Sequence, residues 1–274
     1  MTTDTRETLI VERNDGIVTV TMNRPHRKNA ASGVMWSELL TVFREIDDST
    51  TDRVLVLTGA GGDFCSGADV GGMDDRANGG DAAASDDAPP KHQLAAMRNI
   101  TDICLTLNRL AVPTIAKVRG VAVGAGMNMA LSCDLLVADD TARFSEIFAR
   151  RGLSVDFGGS FLLPRRVGLH KAKELALLAE IIDAADAEAI GLVNRVVPSD
   201  ELDAFVDDWA TRLASGPPIA LAMTKRLLNN SMNVTLEEAL DDEGLSQTVN
   251  FSTADTAEAM RAFIEKRSPK FTGR

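Results

Sequence analysis

Apolar and polar residues alternate along two short stretches near the N-terminus, residues 9–13 and 17–23. The stretches are separated by Asn14, Asp15 and Gly16, residue types that are typical of tight turns between antiparallel strands. The pattern therefore predicts that the chain opens with two antiparallel strands.

In the residues that follow, segments with helical spacing of apolar residues alternate with short apolar segments typical of buried strands. Apolar side chains recur every three or four positions in residues 34–46, which predicts an amphipathic helix. Short apolar runs predict buried strands at residues 53–58, 113–118 and 135–138, and a short helix is predicted at residues 127–132. Strands that alternate with helices in this way predict an α/β fold.

The pattern changes after about residue 197, where the strand signals stop. Helical spacing then recurs in four segments, at residues 200–213, 218–228, 236–249 and 254–266. We therefore predict a core in residues 1–197 that holds the active site and a helical region in residues 198–274. Such a helical layer can pack on its own sheet or on another subunit.

Composition and charge narrow the possible partners. A chain of 274 residues with 45% hydrophobic content can bury a full core. Its 29 Lys and Arg against 40 Asp and Glu give a net charge of −11, which disfavours nucleic acid and anionic membranes as partners. An anionic ligand would need a local basic pocket.

Several sequence features predict a cytoplasmic location. Residues 1–13 are polar and charged and lack the pattern of a signal peptide. The most apolar stretch, residues 121–133, is well below the roughly 20 residues that a membrane-spanning helix needs. Three cysteines without CxxC spacing suit a reducing compartment.

Missing residue types exclude several kinds of chemistry. The chain has no tyrosine and three histidines, so a tyrosine acid is impossible, and no histidine is placed near a motif serine as a nucleophilic triad requires. HExxH and clustered Cys/His spacing are absent from the sequence, so no metal site is predicted.

Two glycine-rich turns, residues 64–69 and residues 124–128, each follow an apolar run, and a third such turn lies at residues 152–159. Glycine at such positions lets the backbone approach a ligand and point N–H groups at it. Two N–H donors from separate turns can hold one oxygen that becomes negative during a reaction, and Asp156 lies where a carboxylate can move a proton beside it. The structural alternative is that these glycines only make tight turns.

Four motifs follow one another along the chain: Asn23-Arg24-Pro25, residues 64–69, Gly124-Ala125-Gly126 leading to Cys133-Asp134, and residues 189–193. In this order they resemble the crotonase superfamily, also called the enoyl-CoA hydratase/isomerase superfamily, over nearly the whole chain. The resemblance implies a crotonase-type spiral of ββα units with a C-terminal helical oligomerisation region, assembled as a homotrimer or homohexamer. It also implies an acyl-CoA thioester substrate that reacts through an enolate, with no separate cofactor because coenzyme A is part of the substrate.

The resemblance assigns the two oxyanion donors to the backbone N–H groups of Ala68 and Ala125. Classical hydratases of this superfamily carry two glutamates, and their positions are occupied here by Asn128 and Phe148. Glu146 is two residues from Phe148, and on an extended segment we expect it to point elsewhere. Both hydratase carboxylates are therefore expected to be missing.

Asp156 remains, at the position where dienoyl-CoA isomerases and aromatic-ring dehalogenases of the superfamily place an essential aspartate. One carboxylate suits a 1,3-proton shift better than hydration, and apolar neighbours such as Phe148 and Phe157 are expected to raise its pKa. The alternative is that Asp156 only caps a helix over residues 157–163.

The sequence thus predicts an enoyl-CoA isomerase, with a hydratase and a non-catalytic homologue as alternatives. The subgroup that it resembles most is the ring-epoxide isomerases of phenylacetyl-CoA degradation, through residues 152–159, 162–165 and 266–273. That resemblance does not fix the acyl group.

The resemblance implies that three segments contact the substrate: the turn after Pro25, the loop of the first glycine turn, and the second glycine turn with the segment after it. It also implies that two C-terminal residues reach the ligand of a neighbouring subunit. The alternative is that these positions are only a solvated basic helix end. Residues 71–90, rich in Gly, Ala, Asp and Pro, are expected to form either a surface insertion or a lid over the acyl chain. The binding residues implied are His26, Arg27, Lys28 and Ala30, then Ser66, Gly67 and Asp69, then Gly124, Asn128 and Phe148, and finally Phe263 and Lys266.

Overall fold

The computed structural model describes residues 1–69 and 93–274, and the loop predicted at residues 71–90 lies outside the described residues. The described strands are β1 Thr2–Thr5, β2 Leu9–Asn14, β3 Ile17–Met22, β4 Val54–Gly59, β5 Thr114–Val118, β6 Val121–Val123, β7 Leu135–Asp139, β8 Arg143–Ser145, β9 Ile182–Asp183 and β10 Arg195–Val197. The described helices are α1 Gly33–Asp48, α2 Gln93–Arg109, α3 Ala125–Ser132, α4 Gly159–Val167, α5 Leu169–Leu178, α6 Ala184–Ala189, α7 Leu202–Ala214, α8 Pro218–Asn230, α9 Leu236–Phe251 and α10 Ala254–Glu265.

The larger sheet has the strand order β1-β2-β3-β4-β5-β7-β10, and a smaller sheet has the order β6-β8-β9. The predicted hairpin is confirmed, and Asp15 and Gly16 adopt φ angles of 49° and 81°, as a two-residue turn between antiparallel strands requires. From β3 onward the larger sheet is parallel. The edge strand β1 was not predicted, because its residues are polar and exposed and it is held by backbone pairing with β2.

Helix α1 covers one face of the larger sheet, as its apolar spacing predicts. Ser32 caps it by accepting a hydrogen bond from the Met35 N–H. Helix α2 packs beside α1 and was not predicted. Its buried apolar residues, Ile103 and Leu107, lie in its second half, whereas Leu94 in its first half is 54% exposed, so its amphipathic pattern is short.

The four helices predicted in the C-terminal region are confirmed as α7 to α10. Helix α7 covers the other face of the sheet, since Leu202, Val206 and Ala210 belong to one buried cluster with Val54 and Val137. Thus α7 lies beyond the proposed boundary at residue 197 and still contributes to the core around the sheet, while the division into two parts stays a prediction.

Candidate active site

The two glycine turns predicted to hold an oxyanion lie in contact with each other. Cys65 and Ala122 form an isolated parallel bridge that joins the first turn to β6. A Cβ at Gly126 would lie 2.2 Å from the Cys65 carbonyl oxygen, so only glycine fits at this second residue of α3. A Cβ at Gly67 would lie 3.8 Å from the backbone nitrogen of Ala125, which brings the two predicted donor turns side by side.

Backbone pairing leaves the two predicted donors available. The Ala31 N–H donates to the Gly67 oxygen at 2.8 Å, and the Asp69 N–H donates to the Ala31 oxygen at 3.0 Å. Because peptide groups alternate in direction along an extended chain, the N–H of Ala68 between them points away from Ala31. The N–H of Ala125 is in the first turn of α3, where helical N–H groups have no partner within the helix. Neither N–H has a hydrogen-bond acceptor within the described residues.

Asn128 lies on α3 just beyond these donors and is fully buried. Its Nδ2 donates to Glu146 Oε2 at 3.3 Å and to the backbone oxygen of Asp156 at 3.0 Å. A Cβ at Gly159 would lie 2.4 Å from the same nitrogen, so the glycine leaves the room that the amide occupies. Asn128 is thus the link between Glu146 and the Asp156 turn, while its contact with a substrate stays a prediction.

The expectation that Glu146 points elsewhere is wrong. Its side chain is fully buried and faces Asn128. The expectation assumed an extended segment, but β8 ends at Ser145 and a 3-10 turn, Ile147–Arg151, begins directly after Glu146. Glu146 itself has φ −84° and ψ 63°, so the alternation of side-chain directions along a strand does not extend to it. The site therefore contains two carboxyl groups.

Asp156 does not cap a helix, which contradicts the structural alternative. Helix α4 begins at Gly159, its N-cap is Gly158, and no side chain caps it. The half-buried Asp156 side chain leaves its Oδ1 without a hydrogen-bond partner within the described residues. The next residue, Phe157, adopts φ 47° and stacks on Trp36 with ring centroids 5.5 Å apart, so it anchors the turn that presents Asp156.

Phe148 supplies an apolar wall to the same region, and its predicted contact with a substrate stays a prediction. Its ring is buried, and its Cζ would lie 3.6 Å from a Cβ at Gly124, so the ring lies against the second glycine turn. Gly124 has φ 55° and ψ −126°, a conformation that residues with a side chain rarely adopt. The structure thus brings together Gly124, Ala125, Asn128 and Phe148.

Burial shifts the acid–base chemistry of both carboxyl groups. It raises the pKa of Asp156 to about 6. It also raises the pKa of Glu146 to about 7, an effect that the Asn128 hydrogen bond opposes and the charge of Asp156 reinforces. Groups that titrate near neutrality inside a site are suited to proton transfer.

The predicted nucleotide-binding segments also lie together. His26, Arg27 and Lys28 are exposed at a 3-10 turn, and the Ser66 N–H donates to the Lys28 oxygen at 3.0 Å. The Ser66 hydroxyl donates to the Arg27 oxygen at 3.3 Å. Ala30 is buried, and its N–H donates to the Arg27 oxygen at 3.0 Å.

Acidic residues balance part of this basic surface. Lys28 Nζ lies 3.5 Å from an oxygen of Asp63, and Arg24 Nη1 lies 2.9 Å from an oxygen of Asp69. Asp69 therefore lies beside the predicted coenzyme A surface and forms an ion pair there. The contact of these residues with coenzyme A stays a prediction.

Two predicted binding residues are not brought to this site within one chain. Phe263 lies near the end of α10 and is 83% exposed, and Lys266 follows the helix in a left-handed conformation. No hydrogen bond, ion pair or ring contact of the described residues joins either one to the glycine turns. Their predicted role requires a neighbouring subunit and stays a prediction.

An apolar cleft of about 840 Å³, which the sequence did not reveal, lies between α2, α4 and α8. Cys104, Gly158 and Leu162 line it on the side of the Asp156 turn, and Ile219 and Met223 line it on the side of α8. Because three helices that are distant in sequence form this cleft, no local pattern could indicate it.

Comparisons with known proteins agree with this geometry. Residues 12–274 match the model of the enoyl-CoA hydratase/isomerase family. The protein named "Probable enoyl-CoA hydratase echA8" of Mycobacterium bovis is 37% identical over 98% of this chain and 100% of its own. The 1,2-epoxyphenylacetyl-CoA isomerase of Escherichia coli is 35% identical over 94% of this chain and 96% of its own. A crystal structure of an enoyl-CoA hydratase/isomerase from Cupriavidus metallidurans CH34 superposes with a TM-score of 0.88 at 33% identity, covering 98% of each chain.

These matches confirm the predicted superfamily and its α/β crotonase fold. No helix in residues 1–69 and 93–274 has both the length and the apolar composition that crossing a membrane requires. The family model and the relatives each span nearly the whole chain, so the similarity includes both the glycine turns and the C-terminal helices. The chain belongs to the enoyl-CoA hydratase/isomerase family.

Proposed function

We propose that this protein is an enoyl-CoA isomerase that shifts a double bond or rearranges an epoxide in an acyl-CoA, with Asp156 as the proton carrier. The observation that supports this most is the Asp156 carboxyl, which is half-buried, has a free acceptor oxygen and lies on the turn that Asn128 ties to α3. Asn128 and Phe148 occupy the positions where classical hydratases carry glutamates.

The proposed reaction uses the backbone donors and one carboxylate. The N–H groups of Ala68 and Ala125 hold the thioester oxygen while Asp156 removes a γ proton from a 2-enoyl thioester. The electron pair of the broken C–H bond moves into a dienolate, whose negative oxygen the two donors stabilise. Asp156 then returns the proton to the α carbon, which yields the 3-enoyl thioester, and the reverse reaction uses the same steps.

The properties of Asp156 fit this role. With a pKa of about 6, most of the carboxyl is ionised at neutral pH and can accept a proton. A base with this pKa also takes a proton from carbon more readily than an aspartate with its ordinary value of 3.8. One relative that is 35% identical is named 1,2-epoxyphenylacetyl-CoA isomerase, which supports an isomerase.

A hydratase is the second candidate, and the buried Glu146 is the observation that favours it. Two carboxyl oxygen atoms, Glu146 Oε1 and Asp156 Oδ1, and the amide oxygen of Asn128 lack donors within the described residues and offer polar contacts to one water molecule. Such a water could be deprotonated by Asp156 or Glu146 and added to a 2-enoyl thioester. A relative that is 37% identical carries a hydratase name.

We also propose that the acyl-CoA substrate brings the only coenzyme and that the protein is a homotrimer or homohexamer. Large apolar side chains are exposed on α9 and α10, and a second copy of the chain would cover such a surface. These exposed residues include Leu236, Leu240, Leu245, Phe251, Met260, Phe263 and Ile264.

Product analysis separates the candidates. Purified protein would be incubated with a 3-enoyl-CoA and, separately, with crotonyl-CoA, and the products identified by mass and chromatography. We expect 2-enoyl-CoA from the first substrate. Formation of 3-hydroxyacyl-CoA from crotonyl-CoA without any double-bond shift would support the hydratase instead. A protein that binds neither thioester would be the non-catalytic homologue.

A further inference from the structure

A cluster of acceptor oxygen atoms lies inside the site without donors. Asn128 Oδ1, Glu146 Oε1 and Asp156 Oδ1 are all buried and have no hydrogen-bond partner within the described residues. They come from three segments that the Asn128 side chain joins, through its bonds to Glu146 Oε2 and to the Asp156 backbone. Buried polar atoms in folded proteins almost always have partners, so this cluster requires an explanation.

The cluster lacks a hydrogen-bond donor within the described residues. The Nδ2 of Asn128, with its two hydrogens, already bonds to Glu146 and to the Asp156 carbonyl. Ionised carboxylates only accept hydrogen bonds. A proton on one of the two carboxyl groups would convert an acceptor into a donor and would also remove one of two like charges that share a buried space.

The two carboxyl groups differ in their exposure to solvent. Glu146 is fully buried, whereas Asp156 is half-buried. Desolvation penalises a charge more strongly at the more buried group. No Lys, Arg or His forms a hydrogen bond or ion pair with either carboxyl within the described residues, so no cation offsets that penalty. Among the residues that the structure describes, the other titratable group facing this cluster is the Cys104 thiol of α2, whose pKa burial raises, so it is neutral and adds no charge.

We propose that Glu146 is a positioning residue that keeps its proton in the resting enzyme, so that Asp156 carries the only negative charge of the cluster. Asn128 holds the neutral Glu146 on one side and the backbone of the Asp156 turn on the other. Glu146 thereby acts on the reaction through Asp156 and Asn128.

This assignment predicts how stability depends on pH, independently of the reaction. The pKa of Glu146 is raised in the folded protein from its ordinary 4.5 to about 7. Between these values the folded state binds more protons than the unfolded state, so the free energy of unfolding decreases as pH rises through this range. Asp156 contributes in the same direction over the lower interval from 3.8 to about 6.

The kinetic consequence rests on the proposed function. When Glu146 loses its proton, a second negative charge faces the site in which the enolate forms, and it opposes that enolate. We therefore expect isomerisation to decline above an apparent pKa of about 7 and to decline again below about 6, where Asp156 becomes protonated.

The test compares Glu146→Gln with Glu180→Gln, a matched change at an exposed glutamate. Thermal unfolding would be followed from about pH 5 to about pH 8. We expect the melting temperature of the wild type and of Glu180→Gln to fall over this range, and that of Glu146→Gln to fall less. In activity assays, Glu146→Gln should lose the decline on the alkaline side and keep the decline on the acid side. A role in packing alone would lower activity equally at every pH.

Infrared spectroscopy of the wild type with ¹³C-labelled glutamate covers the case in which Glu146→Gln does not fold. The carbonyl stretch of a neutral glutamic acid should be present at about pH 6, where exposed glutamates are ionised, and should vanish as the pH rises. Absence of that band, or an unchanged pH dependence of unfolding in Glu146→Gln, would overturn the proposal. If the band behaves as expected but no isomerisation occurs, the proton assignment stands and the proposed function fails.

Discussion

The site has a backbone half and a side-chain half that are determined in different ways. In the backbone half, two glycine turns interlock so closely that a Cβ at Gly126 would strike the Cys65 carbonyl. In the side-chain half, Asn128 joins Glu146 and Asp156, which lie on different segments. The net charge of this half depends on the proton that we propose on Glu146. The backbone half constrains only residue size, whereas the side-chain half depends on residue identity. Relatives of similar identity carry hydratase and isomerase names.

The largest effect is expected from Asp156→Asn, which removes the base and leaves the backbone half intact. General base catalysis typically contributes about 10²- to 10⁴-fold, so isomerisation should fall by that amount. Coenzyme A affinity should be unchanged, because Asp156 is not part of the predicted nucleotide-binding segments. Asp207→Asn, at an exposed position of α7, is the control. Unchanged turnover in Asp156→Asn would remove this residue from the mechanism.

Gly126→Ala tests the backbone half. Its Cβ would lie 2.2 Å from the Cys65 oxygen, so one glycine turn must move away from the other and the N–H of Ala125 with it. Loss of one oxyanion donor typically lowers turnover about 10²- to 10³-fold. Gly244→Ala on α9, where a Cβ would meet nothing within 4 Å, is the matched control. If Gly126→Ala folded and turned over normally, the two turns would not act as a rigid pair.

The two halves also differed in how far the sequence predicted them. Glycines at the ends of apolar strands predicted the positions of both turns, because a close approach of backbones requires glycine at the point of contact. Glu146 was missed because its orientation depends on where β8 ends, and a 3-10 turn directly after it breaks the strand alternation. The left-handed conformation of Phe157, φ 47°, could not be predicted either, because its stacking on Trp36 is a contact between residues distant in sequence.

Elements outside the site show the same limit. Helices α1 and α7 to α10 were predicted within a few residues, and in α1 and α7 the apolar spacing forms a buried face. Strand β1 and helix α2 were missed, because β1 is exposed and polar and the buried side chains described in α2 lie in its second half. Helical spacing in the sequence thus predicted the first group, whereas β1 and α2 depend on contacts with the rest of the fold.

The pH dependence of activity reports whether Asp156, in the side-chain half, is buried in the working enzyme. Because burial raises the pKa of Asp156 to about 6, kcat/KM should fall about tenfold for each pH unit below that value, as the base becomes protonated. An exposed aspartate would produce this decline about two units lower, near its ordinary pKa of 3.8. A decline centred near pH 4 would therefore show that Asp156 is solvated in the working enzyme or is not the base.

The smallest effect is expected at the basic surface next to the backbone half, where Lys28→Gln removes an exposed charge. Lys28 Nζ lies 3.5 Å from Asp63, so part of its charge is already balanced, and exposed ion pairs typically contribute about 0.2 to 1 kcal/mol. We therefore expect KM for an acyl-CoA to rise by no more than about fivefold, with kcat unchanged. The rise should shrink as salt is added, because salt screens exposed charges.

Lys173→Gln, at an exposed position of α5, is the control for a general change in net charge. An effect on kcat instead of KM would mean that Lys28 acts on the geometry of the oxyanion turns, through the hydrogen bond from Ser66 to its carbonyl oxygen.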